Sequence, residues 1–146
     1  MKYLLDTEVW LWSLSEPERL NAETRHLLAR SGEELFLSAA SSWEIAIKSA
    51  LGKLSLPEPP ASYVPKRMEA QGIRALAIEH SHALRVYTLP HHHRDPFDRL
   101  IIAQAEAEKL TILTADAAFK EYGAMLHWSG REVLTPDHAD RSAVPH

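Results

Sequence analysis

The amino-acid sequence predicts an α/β domain organised around a mainly parallel sheet. Three observations carry that expectation. Short apolar runs alternate with segments of helical character along the chain, the pattern of strands joined by crossover helices. The 146 residues suit one domain. Neither an internal repeat nor a linker divides them.

In chain order, YLL (3–5) reads as a buried strand closed by Asp6, and residues 7–14 read as a helix. Asn21 is placed to cap a second helix over AETRHLLARS, which Gly32 stops. ELFLSA (34–39) is a second strand. SSWEIAIKSALGKL comes next as a helix opened by serine, with Trp43, Ile47, Ala50 and Leu51 on one face. Prolines punctuate LPEPPASYVPKR, which predicts a loop leading into a short helix that ends at Gly72. IRALAI (73–78) is a third strand, and His80 to Leu89 a helix closed by Pro90. DPFDRLIIAQAEAEKL is apolar almost all round, as a central buried helix is. LTILT (110–114) is a fourth strand, 116–121 a helix, and AMLHW (124–128) an edge strand. The domain is expected to span 1–128. From Ser129 to residue 146 the tail is polar and aperiodic, and flexibility is expected there. Trp10 and Trp12 point about 200° apart on a helix, so one should be core and the other exposed.

Composition narrows the function. The formal charge of −4 argues against a basic protein that coats nucleic acid non-specifically, while leaving room for a local basic rim. The absence of cysteine excludes disulfides, thiolate zinc sites and thiol nucleophiles. The apolar start is too short for a secretory signal, and no stretch approaches the roughly 18 apolar residues of a membrane span. A cytoplasmic protein without membrane contact is expected.

In open α/β sheets ligands bind beyond the carboxyl ends of the strands. Asp6 ends the first predicted strand and Asp116 stands just after the fourth, while Glu44 and Asp98 stand near predicted helix starts. Each also fits a plain structural role. Ser41-Ser42-Trp43-Glu44 has the form of a capping box, and Glu44 precedes Lys48 by four residues, as in a helical ion pair. Asp95-Pro96-Phe97-Asp98 reads as cap, first-turn proline and first-turn acid, and Asp116 and Asp6 are each placed to cap the next helix. Gathered in one cleft, however, the four would repel. Two unit charges about 4 Å apart at an effective dielectric near 20 cost roughly 4 kcal/mol. A cation between them relieves this, and an oxygen-only donor set favours Mg²⁺ or Mn²⁺. Such a site suits phosphodiester hydrolysis, because the metal acidifies water and neutralises the phosphoryl oxygens.

LLDTEVWLW, LSAASSWEIAIKSALGKL, HRDPFDRLIIAQA and LTILTAD, in this order and spacing, resemble the PIN-domain ribonucleases. The resemblance reaches to about Trp128 and is strongest to the VapC-like toxins of bacterial type II toxin–antitoxin pairs. It implies a three-layer α/β/α fold and an Mg²⁺- or Mn²⁺-dependent endoribonuclease. It also implies a homodimer and a small antitoxin whose tail occludes the cleft. By similarity the metal-binding and catalytic acids are Asp6, Glu44, Asp98 and Asp116, with Asp95 as an accessory acid or a cap. Thr7 and Thr114 would orient carboxylates or waters. Many relatives have histidine or asparagine where this chain has Glu8, an extra acid beside Asp6.

Adjacent residues of an irregular segment point in different directions, so His91, His92 and His93 are ill-suited to share one ion. They fit a solvated loop, or with Arg94 and Arg99 an RNA-contacting rim that Lys48, Lys53, Lys66 and Arg67 extend. Two rival functions share the acids. One is an aspartyl-phosphate phosphatase, for which Asp6-Thr7-Glu8 supplies two spaced acids and Lys109 a badly matched lysine. The other is a non-catalytic protein binding RNA or a partner through the same cleft.

Overall fold

A computed structural model describes residues 1–30, 32–91, 95–122 and 124–131. Its centre is a five-stranded, all-parallel sheet in the order β3-β2-β1-β4-β5. The strands are β1 (Lys2–Leu5), β2 (Glu34–Ser38), β3 (Arg74–Leu76), β4 (Thr111–Thr114) and β5 (Leu126–Trp128). The chain moves outward from β1 to β3, then returns across the sheet to β4 on the far side of β1. The order therefore reverses between β1 and β4, where such sheets open a crevice at their carboxyl ends.

The crossover helices lie on both faces of the sheet. Helices α1 (Thr7–Ser15), α2 (Ala22–Ala29) and α4 (Pro60–Gln71) share one core with Tyr3, Leu5, Leu35, Leu37 and Leu113. Helix α6 (Pro96–Glu108) shares the other with Leu4, Phe36 and Ile112. Alternate residues of β1, β2 and β4 thus feed opposite layers, as the two-residue period of a strand requires. Helices α3 (Ala39–Ala50) and α5 (His80–Arg85) complete the three layers. Trp10 is fully buried and donates its indole N–H to Gln71 at 2.8 Å, while Trp12 is half-buried beneath the Arg19 guanidinium.

Several expectations change. The proline-rich segment is helical from Pro60, because proline at the first position lacks only an N–H that has no partner within the helix. Gly72 closes α4 at φ +69 as expected. Helix α3 begins at Ala39, capped by Ser38, whose Oγ accepts from the Ala40 N–H. The helix expected over 80–89 ends at Arg85 and tightens into a 3₁₀ turn, and a 3₁₀ turn over Ala117–Tyr122 comes after β4. The Trp43–Ile47–Ala50–Leu51 face of α3 is exposed, since the helix packs through Ala40, Ser41, Glu44 and Ile45. Ser129 is buried, and Asn21 Nδ2 donates to the carbonyls of Trp128 and Gly130, tying the first residues of the polar tail to the α2 cap. Tail residues 132–146 lie outside the described residues.

Two polar side chains of α6 join the layers. Gln104 accepts from Ser38 Oγ at the end of β2 and donates to the Ala77 carbonyl beyond β3. Arg99, expected on an RNA-facing rim, is turned inward. It donates to the carbonyls of Pro90 (2.7 Å) and Val86 (3.2 Å) and to the Tyr122 hydroxyl (3.3 Å), fixing the segment that leads into α6. Replacing Arg99 by leucine strands these acceptors and should cost about 2–3 kcal/mol in urea unfolding. A loss below about 0.5 kcal/mol, the usual effect of a surface change, would show that the guanidinium does not hold this segment.

Candidate active site

A cleft of about 310 Å³ opens at the carboxyl end of the sheet beside the β1/β4 switch point. Asp6, Glu8, Glu44, Asp95, Asp98 and Asp116 line it, with Thr7, Lys48 and Lys53. All four acids singled out by sequence therefore meet in one place. A larger hollow of about 460 Å³ beside Tyr3 and His127 is less informative, because its Arg30 pairs with Glu33 and its Glu23 with His127.

The structural roles considered for these acids separate residue by residue. Asp6 occupies the cap position of α1, yet its side chain makes no capping bond. Its Oδ2 instead accepts from Thr114 Oγ1 at 2.9 Å, and the same hydroxyl accepts from the Asp116 N–H at 3.0 Å. Glu44 cannot complete a capping box with Ser41, because α3 starts two residues before that serine. Its Oε2 pairs with Lys48 Nζ at 2.7 Å, the ion pair the spacing suggested. Its Oε1 is buried and has no hydrogen-bond partner among the described residues. Asp95 is a true cap, accepting from the N–H groups of Phe97 and Asp98. Asp116 Oδ1 accepts from the Ala118 N–H, so it caps its turn while facing the cleft.

Thr7 donates to Ser41 Oγ at 2.7 Å, and both side chains are buried. Ser41 was missed as a site residue because a serine near a helix start reads first as a cap. Glu8 is exposed but on the cleft wall. Lys66 is drawn to Glu58 instead. Arg94, His92 and His93 lie outside the described residues.

Burial sets the electrostatics. Asp6 is pushed up to about 7, first by desolvation, against the opposing Thr114 hydrogen bond, and then by Asp116, Glu8 and Glu44. Asp98 is pushed up to about 8, first by desolvation and then by Asp6, Asp95, Glu44 and Asp116. Both shifts say that the cleft holds more negative charge than it can solvate. Among the described residues no group of three or more acidic or histidine side chains stands placed to hold a metal ion. The donor chemistry nonetheless fits a hard divalent cation: oxygen ligands throughout, one of them a buried carboxylate oxygen lacking a partner.

A parallel sheet between two helical layers, with carboxylates gathered at its switch point, is the arrangement that the resemblance to PIN domains implies. The chain belongs to that family, whose sequence profile matches residues 3–125. It is similar to two proteins of Mycobacterium tuberculosis (strain ATCC 25618 / H37Rv). Ribonuclease VapC16 is 52% identical over 60 residues, 41% of this chain and 43% of that protein, so the match spans less than half of that relative's length. Ribonuclease VapC22 is 29% identical over 120 residues, covering 82% of this chain and 90% of that protein. Among solved structures, VapBC2 from Rickettsia felis bound to a DNA fragment from their promoter gives a TM-score of 0.68. That alignment covers 88% of this chain and 99% of that one at 18% identity.

The raised carboxyls make stability depend on pH. An unfolded aspartate gives up its proton near pH 3.9, whereas the folded chain holds these two to about 7 and 8. Between those limits the native state binds more protons, so the metal-free fold loses stability as pH rises from about 4 to 8. Thermal melts in chelator should give a lower Tm at pH 8 than at pH 6, with Asp98→Asn flattening the difference. A Tm that climbs over this range would refute the raised carboxyls.

Proposed function

We propose that this chain is an Mg²⁺- or Mn²⁺-dependent endoribonuclease and the toxin of a toxin–antitoxin pair. The observation that carries the reading is the convergence of Asp6, Glu44, Asp98 and Asp116 on one cleft, with Glu44 Oε1 buried and unpartnered. These four would hold the cation. When bound, the cation supplies charge neutralisation at the phosphodiester and a lowered pKa for water. The remaining groups position the acids. Thr114 locks Asp6 and the Asp116 backbone together. Thr7 fixes the start of α1 against Ser41, and Asp95 holds the first turn of α6 so that Asp98 faces inward. Lys48 and Lys53 on the wall, and Arg94 by sequence alone, are the RNA-facing cations in this reading.

The names of the two ribonuclease relatives support the substrate class. The VapBC2 relative supports a small antitoxin as partner. No helix among the described residues is long and apolar enough to cross a membrane, and in this reading the protein acts on cytoplasmic RNA. The lysine that the sequence offered the phosphatase alternative is misplaced, although Lys48 and Lys53 line the cleft. Lys109 lies after α6 and before β4, at the opposite end of the sheet from Asp6.

A homodimer accounts for the uncovered face of α3. Trp43 is 57% exposed and Leu51 63%, with Ile47 between them, and Trp43 meets Phe97 edge to face at 5.0 Å. This apolar stripe at helical spacing is what an interface between two copies buries.

Purified protein with Mg²⁺ should cleave RNA, and both Asp6→Asn and Asp98→Asn should lower the rate about a hundredfold or more. Cleavage that survives chelation or both substitutions would refute metal-dependent catalysis at these acids. RNA binding without any cleavage would favour the non-catalytic alternative. In sedimentation, the parent should run as a dimer and Leu51→Glu as a monomer, whereas a monomeric parent would remove the role assigned to the stripe.

A further inference from the structure

We infer that Lys48 is a tethered cation that competes with the divalent ion for Glu44, and so sets how tightly the cleft takes up metal. The inference rests on the metal-site reading above and goes beyond the RNA contact that sequence suggested for this lysine. Glu44 is used asymmetrically. Its Oε2 is held by Lys48 Nζ at 2.7 Å, while Oε1, buried in the same cleft, has no hydrogen-bond partner among the described residues. A carboxylate oxygen removed from water without a donor is costly, so Oε1 marks a place reserved for a ligand. The ammonium marks where charge is compensated meanwhile.

The geometry suits exchange better than a permanent bond. Lys48 lies one turn beyond Glu44 on α3, and its side chain is half exposed while that of Glu44 is 8% exposed. The acid is fixed and the cation is free to swing into solvent on its flexible stem. Among the described residues, Lys48 and Lys53 are the two cationic side chains on a wall that carries six carboxylates. A divalent ion arriving there meets a positive charge already seated on one of its ligands. Coulomb repulsion between them falls with distance and salt, but it acts across a partly desolvated cleft, where the effective dielectric is well below that of water. A divalent ion on Oε1 would repel the ammonium held on Oε2 of the same carboxylate and loosen it toward the cleft mouth.

The test is Mn²⁺ binding by calorimetry on the full RNA-free chain at low salt, with folding of every variant checked by circular dichroism. Lys48→Met should bind Mn²⁺ about tenfold more tightly than the parent, the scale of one nearby unit charge. Lys48→Arg, which keeps the charge, should bind like the parent, and raised salt should narrow the gap between parent and Lys48→Met. Asp98→Asn should bind more weakly. If Asp98→Asn weakens binding but Lys48→Met binds equally or less tightly than the parent, the competition is overturned while the metal site stands. If the parent takes up no Mn²⁺, or Asp98→Asn binds as the parent does, the metal-site reading fails and the competition with it.

Discussion

The constraint on which the rest of this structure depends is the crowding of carboxylates at the break in strand order between β1 and β4. Packing alone would place apolar groups there. Instead the chain buries Asp6 and most of Asp98, and the surrounding elements hold them against the cost of desolvation and then against their neighbours' charge. A cost on this scale is a large fraction of a domain's net stability. The two apolar cores on either face of the sheet provide the opposing force, since their hydrophobic burial is the dominant favourable term in folding.

The supports are polar and specific. One threonine hydroxyl serves both Asp6 and the Asp116 backbone, so neither acid shifts without the other. The N-terminus of α6 is fixed from two directions: Asp95 caps it from within, and Arg99 gathers the carbonyls of the preceding segment. Gln104 then ties the middle of that helix to the ends of β2 and β3. Helix α6 therefore acts as the beam on which Asp98 is mounted, and its buried middle explains the apolar run at 100–103.

Much of this was legible in the sequence. Strand–helix alternation, the rule that ligands collect beyond strand carboxyl ends, and the acids at those points are enough to point to the cleft. What escaped had physical reasons. The prolines at 59, 60 and 65 look like breakers, although Pro60 is harmless at the first position of α4. The apolar residues of α3 announce a helix face but not which body covers it, and Trp43 and Leu51 on that face stand in solvent. Arg99 looks like a surface cation because sequence does not show which carbonyls need a donor. The capping roles of Asp95 and Asp116 were readable locally, whereas the Thr114–Asp6 bond depends on pairing between distant strands.

That last bond has a consequence for how the protein is made. Asp6 and Thr114 are separated by 108 positions, and β1 pairs with β4 only after everything between them has been synthesised. Non-local pairing of this kind is late in folding, because the loop must close before the contact rewards it. On the ribosome, β1 emerges ahead of both its neighbours and has β2 to pair with long before β4. The acids of the cleft thus come into register only once β4 has been made, and a chain that stops short of it has Asp6 but no β4 to set it. Strand order in this fold ties assembly of the site to completion of the domain.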